Sequence, residues 1–249
     1  MLQLDVHTCV DPGARDHNED DLRVGQSGDL AWAVLSDGAG GHSRGDEASR
    51  RVVTTVDAAM QQGAAVAEGL SADRLGSAIE QAHAGLNAEQ SQAQGRWRMH
   101  ATVVALALDR ARGEAVWAHV GDSRLYLLRD GVAVALTRDD SVVQQMVDAG
   151  FLTPEAAQHH PRKNQLLCAL GGAEPIEVHL CPAPLPVRAG DAFVLCSDGW
   201  WDVVTPDAIA RTRQHAAGAA DWLERMRRLV VEAGLPNQDN YSAVVLLLG

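Results

Sequence analysis

The feature that most limits what this chain can fold into is a set of short, uninterrupted apolar runs, each closed by a turn signal. The longest are "ATVVALAL" at 101–108 and "AVVLLL" at 243–248. A bilayer span needs about 20 apolar residues, so these read as buried strands. Candidate strands lie at 2–8, 31–36, 101–109, 114–120, 124–129, 132–137, 176–181, 192–197 and 242–248. The phrase "RLYLLRDGVAVALT" reads as a hairpin with Asp130-Gly131 in its turn.

Four longer segments carry helical spacing. Residues 44–61 place Ala48, Val52, Val56, Ala59 and Met60 on one side, and residues 72–92 do the same with Leu75, Ile79, Ala82 and Leu86. Residues 206–216 open on Thr205 as a cap and Pro206 as first helical residue. Residues 219–233 carry Trp222, Met226, Leu229 and Val230 at three- and four-residue steps. Short turns between most neighbouring strands favour antiparallel pairing. The expected fold is therefore α+β: a four-layer α-β-β-α sandwich of two antiparallel sheets flanked by helix pairs. No repeat and no low-complexity linker divides the chain, so the expectation is a single domain over 1–249. Segment 139–164 fits neither layer. It reads as two short helices, Ser141–Ala149 and one opening at Thr153-Pro154, forming a small projecting flap.

The formal net charge is -12, with 33 acids against 21 bases. That balance argues against a nucleic-acid partner, which calls for clustered Lys and Arg. Aromatic residues are only 4%, so Ala, Val and Leu must fill the core. Cys9, Cys168, Cys181 and Cys196 form no Cys-x-x-Cys pair and sit beside no His at zinc spacing. They read as reduced, mostly buried thiols of a cytosolic protein. The N-terminus "MLQLDVHTCV" has no basic region followed by an apolar stretch. The expectation is a cytoplasmic protein with no membrane partner. A monomer is expected, because no long apolar face stays uncovered once the helices are assigned.

Five acidic sites share one setting, an acid at a strand end or loop beside Gly, Asn or Ser. They are "RDHNEDD" at 15–21, "SDGAGG" at 36–41, "GDSR" at 121–124, "SDGWWD" at 197–202 and "QDNYS" at 238–242. Asp37, Asp122 and Asp198 adjoin expected strands, Asp20 lies between the first two, and Asp239 precedes the last. A lone Asp-Gly is a turn. Five in one chain can converge on one edge of a layered sheet. Carboxylates that crowd together repel and raise each other's pKa unless a proton or cation intervenes. Oxygen-only ligands select hard divalent ions such as Mg or Mn, and four carboxylates balance two of them. Arg15, in the loop that leads to Asp20, offers a planar fork for phosphate, or equally a partner for a nearby acid.

The ordered set "GARDHNED", "SDGAGGH", "GDSRLYLLRDG", "LTRDDS", "GDAFVLCSDGWWDVV" and "DNYSAVVL" resembles the metal-dependent protein phosphatases of the 2C type, most of all their compact bacterial members. The match runs from about residue 2 to 248. The resemblance implies hydrolysis of phosphoserine and phosphothreonine in proteins, by attack of a water or hydroxide bridging two Mn2+ or Mg2+ ions. It implies that Asp37 bridges the ions and that the Gly38 carbonyl, Asp20, Asp198 and Asp239 complete their shells. Glu19 would hold a bound water, and Arg15 would bind the substrate phosphate. Asp122, with Asp198, would hold a third, weaker ion. The implied partners are phosphorylated proteins and a cognate serine/threonine kinase.

One departure matters. Many animal relatives carry a His between the two glycines, proposed as general acid, where this chain has Ala39. His42 is the nearest substitute in sequence, though a loop His is more often a surface or capping residue. Two other readings are open: a catalytically quiet phosphoprotein-binding module of the same fold, and a two-metal phosphoesterase acting on small molecules.

Overall fold

In the computed structural model, residues 1–40, 44–65, 69–90 and 98–249 are described. The elements run β1 (Leu4–Asp11), β2 (Asp20–Ser27), β3 (Leu30–Gly40), α1 (Gly45–Ala65), α2 (Ala72–Glu89), β4 (Met99–Ala101), β5 (Val103–Asp109), β6 (Glu114–Val120), β7 (Arg124–Arg129) and β8 (Val132–Ala135). They continue with α3 (Val142–Asp148), α4 (Pro154–Gln158), β9 (His179–Leu180), β10 (Leu185–Pro186), β11 (Ala192–Cys196), α5 (Asp198–Trp201), α6 (Pro206–Gln214), α7 (Ala219–Ala233) and β12 (Tyr241–Leu248).

The strands form two antiparallel sheets. One has the order β1-β12-β11-β7-β8; the other has β10-β6-β5-β3-β2, with β4 beside β3 and β9 beside β6. The continuous apolar runs are explained by burial on both faces. Along β12, Val244, Leu246 and Leu248 enter the core shared with the second sheet, while Ala243 and Val245 face the other way. That other face packs on Trp222, Met226 and Val230 of α7 and Ile209 of α6. The second sheet is covered by α1 and α2 through Val52, Val56, Leu75 and Ile79. Each such Val, Leu or Ile contributes about 1.5–3 kcal/mol by leaving water. The four-layer α-β-β-α arrangement is therefore the one expected.

The β7–β8 hairpin turns at Asp130 (φ 52) and Gly131 (φ 78). Both central residues are left-handed, which matches the twist of the strands they join. In the flap, Ser141 and Thr153 cap α3 and α4 with their hydroxyls, as read from sequence. Among the described residues, no helix is long and apolar enough to cross a membrane.

Several expectations need correction. Residues 20–27 form a strand that the sequence reading did not include. "DDLRVGQS" has only Leu22 and Val24 as strong apolar signals, because β2 is a sheet edge and half of it meets solvent. Asp20 is therefore the first residue of β2 rather than a loop residue. The expected strand 101–109 is broken at Thr102, and 176–181 shrinks to the two residues of β9. Asp198 opens a one-turn helix, α5, that was not expected.

Candidate metal centre

The topology sends every acidic segment to one end of the sandwich. β1 ends there and β12 begins there, with Asp11 opposite Tyr241. β11 ends beside the starts of β7 and β12, with Cys196 opposite Arg124 and Ala243. In the second sheet Asp20 stands directly opposite Asp37, and β6 ends at Val120 opposite Val103. Asp20, Asp37, Asp122, Asp198 and Asp239 thus collect at one edge, from five distant stretches of chain.

The loop between β1 and β2 links the first sheet to the second at this end, and Asn240 ties it down. Its side-chain amide donates to the carbonyls of Pro12 and His17, both at 2.9 Å, and its Oδ1 accepts from the Glu19 N–H at 2.8 Å. Asn240 did not figure in the sequence reading. Its signal was only its place beside Asp239. The same loop presents Arg15, whose guanidinium donates to Asp239 at 2.9 Å.

Backbone crowding fixes Gly38. Its N–H donates to the Glu19 carbonyl at 3.0 Å, and a Cβ here would lie 2.0 Å from the Gly45 carbonyl oxygen. Gly45 in turn abuts Glu19, where a Cβ would stand 2.5 Å from the carboxyl carbon. The start of α1, the end of β3 and Glu19 are therefore in close backbone contact. Asp37 is braced from the other side: its N–H donates to Thr102 Oγ1 at 3.0 Å, and its carbonyl accepts from the Thr102 N–H at 2.8 Å. The interruption at Thr102 that splits β4 from β5 is thus where the central acid is held.

The electrostatics follow from burial and crowding. Burial, reinforced by Asp20, Asp198, Asp122 and Asp239, holds the Asp37 carboxyl well above its ordinary value. Burial, then Asp198, does the same to Asp122. Asp20 is pushed up to about 6 by burial, although Ser197 Oγ donates to its Oδ2 at 2.7 Å. Asp198 is pushed up to about 7 by burial, then by Asp239. Glu19 is raised too, again chiefly by burial. Asn164 of the flap region donates to Asp198 Oδ2 at 3.1 Å.

A hard cation fits this set. Asp20 Oδ1 is buried and has no hydrogen-bond partner, a costly state for a carboxylate oxygen. The surrounding donors are carboxylates and a carbonyl, the chemistry of Mg and Mn sites. Among the described residues, no three His, Cys, Asp or Glu side chains form a ready-made ligand group. Arg15 pairs with Asp239 beside this cluster. The sequence-predicted residues Arg15, Glu19, Asp20, Asp37, Gly38, Asp122, Asp198 and Asp239 all lie at this end. His42 lies outside the described residues. Cys196 is fully buried in β11 on the helix-facing side, and burial raises its thiol.

A family model described as "Protein phosphatase 2C" matches residues 13–238. The serine/threonine protein phosphatase PstP of Mycobacterium tuberculosis is 34% identical over 231 residues, which is 93% of this chain and 42% of that protein. The chain thus spans under half the length of that relative. The serine/threonine phosphatase stp of Listeria monocytogenes is 34% identical over 194 residues, covering 76% of this chain and 75% of that one. Among solved structures, the catalytic domain of PstP in complex with two manganese ions superposes with a TM-score of 0.82 at 32% identity, covering 100% of this chain and 99% of that one.

Proposed function

This chain belongs to the protein phosphatase 2C family, and from that premise we propose that it is a protein serine/threonine phosphatase that hydrolyses phosphoserine and phosphothreonine in proteins. Two Mn2+ or Mg2+ ions would be held by Asp20, Asp37, the Gly38 carbonyl, Asp198 and Asp239, and Asp122 with Asp198 would take a third. When bound, such ions supply an activated water and charge compensation for the phosphoryl oxygens.

The chain's own residues do the rest. Arg15 exchanges Asp239 for the incoming phosphate and orients it through its planar fork. Glu19, held by Gly45 and Asn240, accepts hydrogen bonds from water at the rim of the site. Ser197 and Thr102 keep Asp20 and Asp37 in place, so little reorganisation accompanies substrate arrival. The partners are phosphorylated proteins and a cognate serine/threonine kinase, and residues 1–249 act as one catalytic domain in a monomer.

One observation carries this reading: two carboxylates, Asp20 and Asp37, stand opposite each other across a strand pair, one of them with an orphaned buried oxygen. Hydrolysis of a phosphothreonine peptide in the presence of Mn2+, abolished by chelator, is the test. Folded protein that binds the peptide but leaves it intact would instead support a quiet phosphoprotein-binding module. Turnover confined to nucleotides or sugar phosphates would support a small-molecule phosphoesterase.

A further inference from the structure

A groove of about 460 Å³ runs beside the carboxylate cluster, between the β3–β4 edge and the segment that leads out of the flap. Ala39, His100, Asn164, Leu167, Cys168 and Ile176 are among its walls. At one end it is continuous with the site, because Asn164 donates to Asp198 and Ala39 follows Gly38 directly. Among the described residues its lining is mostly apolar, with one acid, Glu174, and no Lys or Arg. It is thus unsuited to a second phosphate and suited to an uncharged chain.

His100 is the polar side chain best placed to read such a chain. It stands directly opposite Ala39 in the β3–β4 pair. Directly paired residues point to one face of a sheet, and alternate residues of a strand share that face. Ala39 and Asp37 are two apart on β3, so His100 is the diagonal neighbour of Asp37, about 7–8 Å away by the usual spacing. The ring is half-buried, and burial, then Arg98, lowers its pKa, so it is neutral near pH 7. A neutral imidazole offers one donor and one acceptor nitrogen. Ala39, with its single methyl group, leaves room above it.

We propose that this groove takes the peptide chain beside the phosphorylated residue, and that the acceptor nitrogen of His100 receives a hydrogen bond from a backbone N–H of that chain. The inference rests on the phosphatase reading and adds to it a residue that separates peptide from non-peptide esters. A small aryl phosphate has no such N–H and does not reach along the groove.

The test compares wild type, His100→Leu and His100→Gln with Mn2+ present, on a phosphothreonine peptide and on p-nitrophenyl phosphate. Binding of the peptide is followed by fluorescence anisotropy and turnover by phosphate release. His100→Leu is expected to weaken peptide binding and raise the peptide's KM about tenfold more than it does for the aryl ester, the loss of one hydrogen bond. His100→Gln, which keeps an acceptor, regains most of this. A peptide N-methylated at the contacted amide, found by scanning two residues on either side of the phosphothreonine, is bound equally by wild type and His100→Leu. Equal losses on both substrates would overturn the proposal and assign His100 to support of β4. So would the same selective loss in His42→Gln with none in His100→Leu. Wild type that binds the peptide without hydrolysing it would contradict the phosphatase reading alone, since the binding comparison still decides the role of His100.

Discussion

Asp20 and Asp37 face each other directly across the β2–β3 pair, although they are separated by a hairpin and belong to different stretches of motif. Like charges directly opposite in a sheet are destabilising. The position makes structural sense only if something positive, or a proton, sits between them.

The first concerns pH. Asp20 and Asp198 have folded-state values of about 6 and about 7, above the ordinary aspartate value of about 4. Between those limits the native chain holds more protons than the unfolded one, so these groups make stability fall as pH rises. Their contribution is fully present below about pH 4 and lost as pH passes through 6 to 7. In chelator, the melting temperature of wild type relative to Asp198→Asn should therefore drop between pH 5 and pH 7.5. Millimolar Mn2+ should erase the drop for wild type. Differential scanning fluorimetry in matched buffers checks both.

The second concerns the central acid. Asp37→Asn removes one of the converging charges, so the chelated variant should melt at or above wild type at pH 7.5. It should nonetheless lose at least a hundredfold in kcat/KM on a phosphothreonine peptide, because the carboxylate whose removal relieves the repulsion is also the one that would hold the ions. Stability and activity moving in opposite directions is the signature sought.

The third concerns Arg15. Its guanidinium bonds Asp239 at 2.9 Å and is more than half exposed, so the ion pair itself adds little stability. Arg15→Ala should leave the melting temperature within a degree or two. It should lower kcat/KM on a phosphopeptide by about 10- to 100-fold, the loss of a charge-assisted phosphate contact. Manganese uptake measured by titration should be retained.

The fourth concerns Gly38. A Cβ there would meet the Gly45 carbonyl at 2.0 Å, and neither partner is a movable side chain. Gly38→Ala should destabilise the fold by about 1–3 kcal/mol, as overpacking does, and weaken metal uptake by shifting the carbonyl next to Asp37. Chemical denaturation with and without Mn2+ measures both effects.

Much of the fold was legible because both faces of the inner strands are buried. Runs such as "AVVLLL" and "AFVLC" then stand out without any alternation, and helices such as Ala219–Ala233 declare themselves by Trp222, Met226 and Val230. β2 was missed for the converse reason: an edge strand with Arg23, Gly25 and Gln26 carries little apolar signal. The acids were legible as a recurring setting, not as a geometry. That Asp20 pairs with Asp37, that Arg15 rests on Asp239, and that Asn240 stitches the loop down depend on contacts between residues more than 200 positions apart in two of the three cases. His100 had no sequence signal at all. Its interest comes from standing opposite Ala39, a register no local pattern encodes.

The most direct measurement is isothermal titration of Mn2+ into the chelator-stripped protein at pH 7.5, in parallel with Asp37→Asn. The wild-type chain should take up two equivalents tightly, ahead of the weaker third, with proton release as Asp20 and Asp198 ionise, and the variant should lose that tight uptake. A stripped, folded wild type that draws no heat and binds no manganese at millimolar concentration would contradict the account at its root.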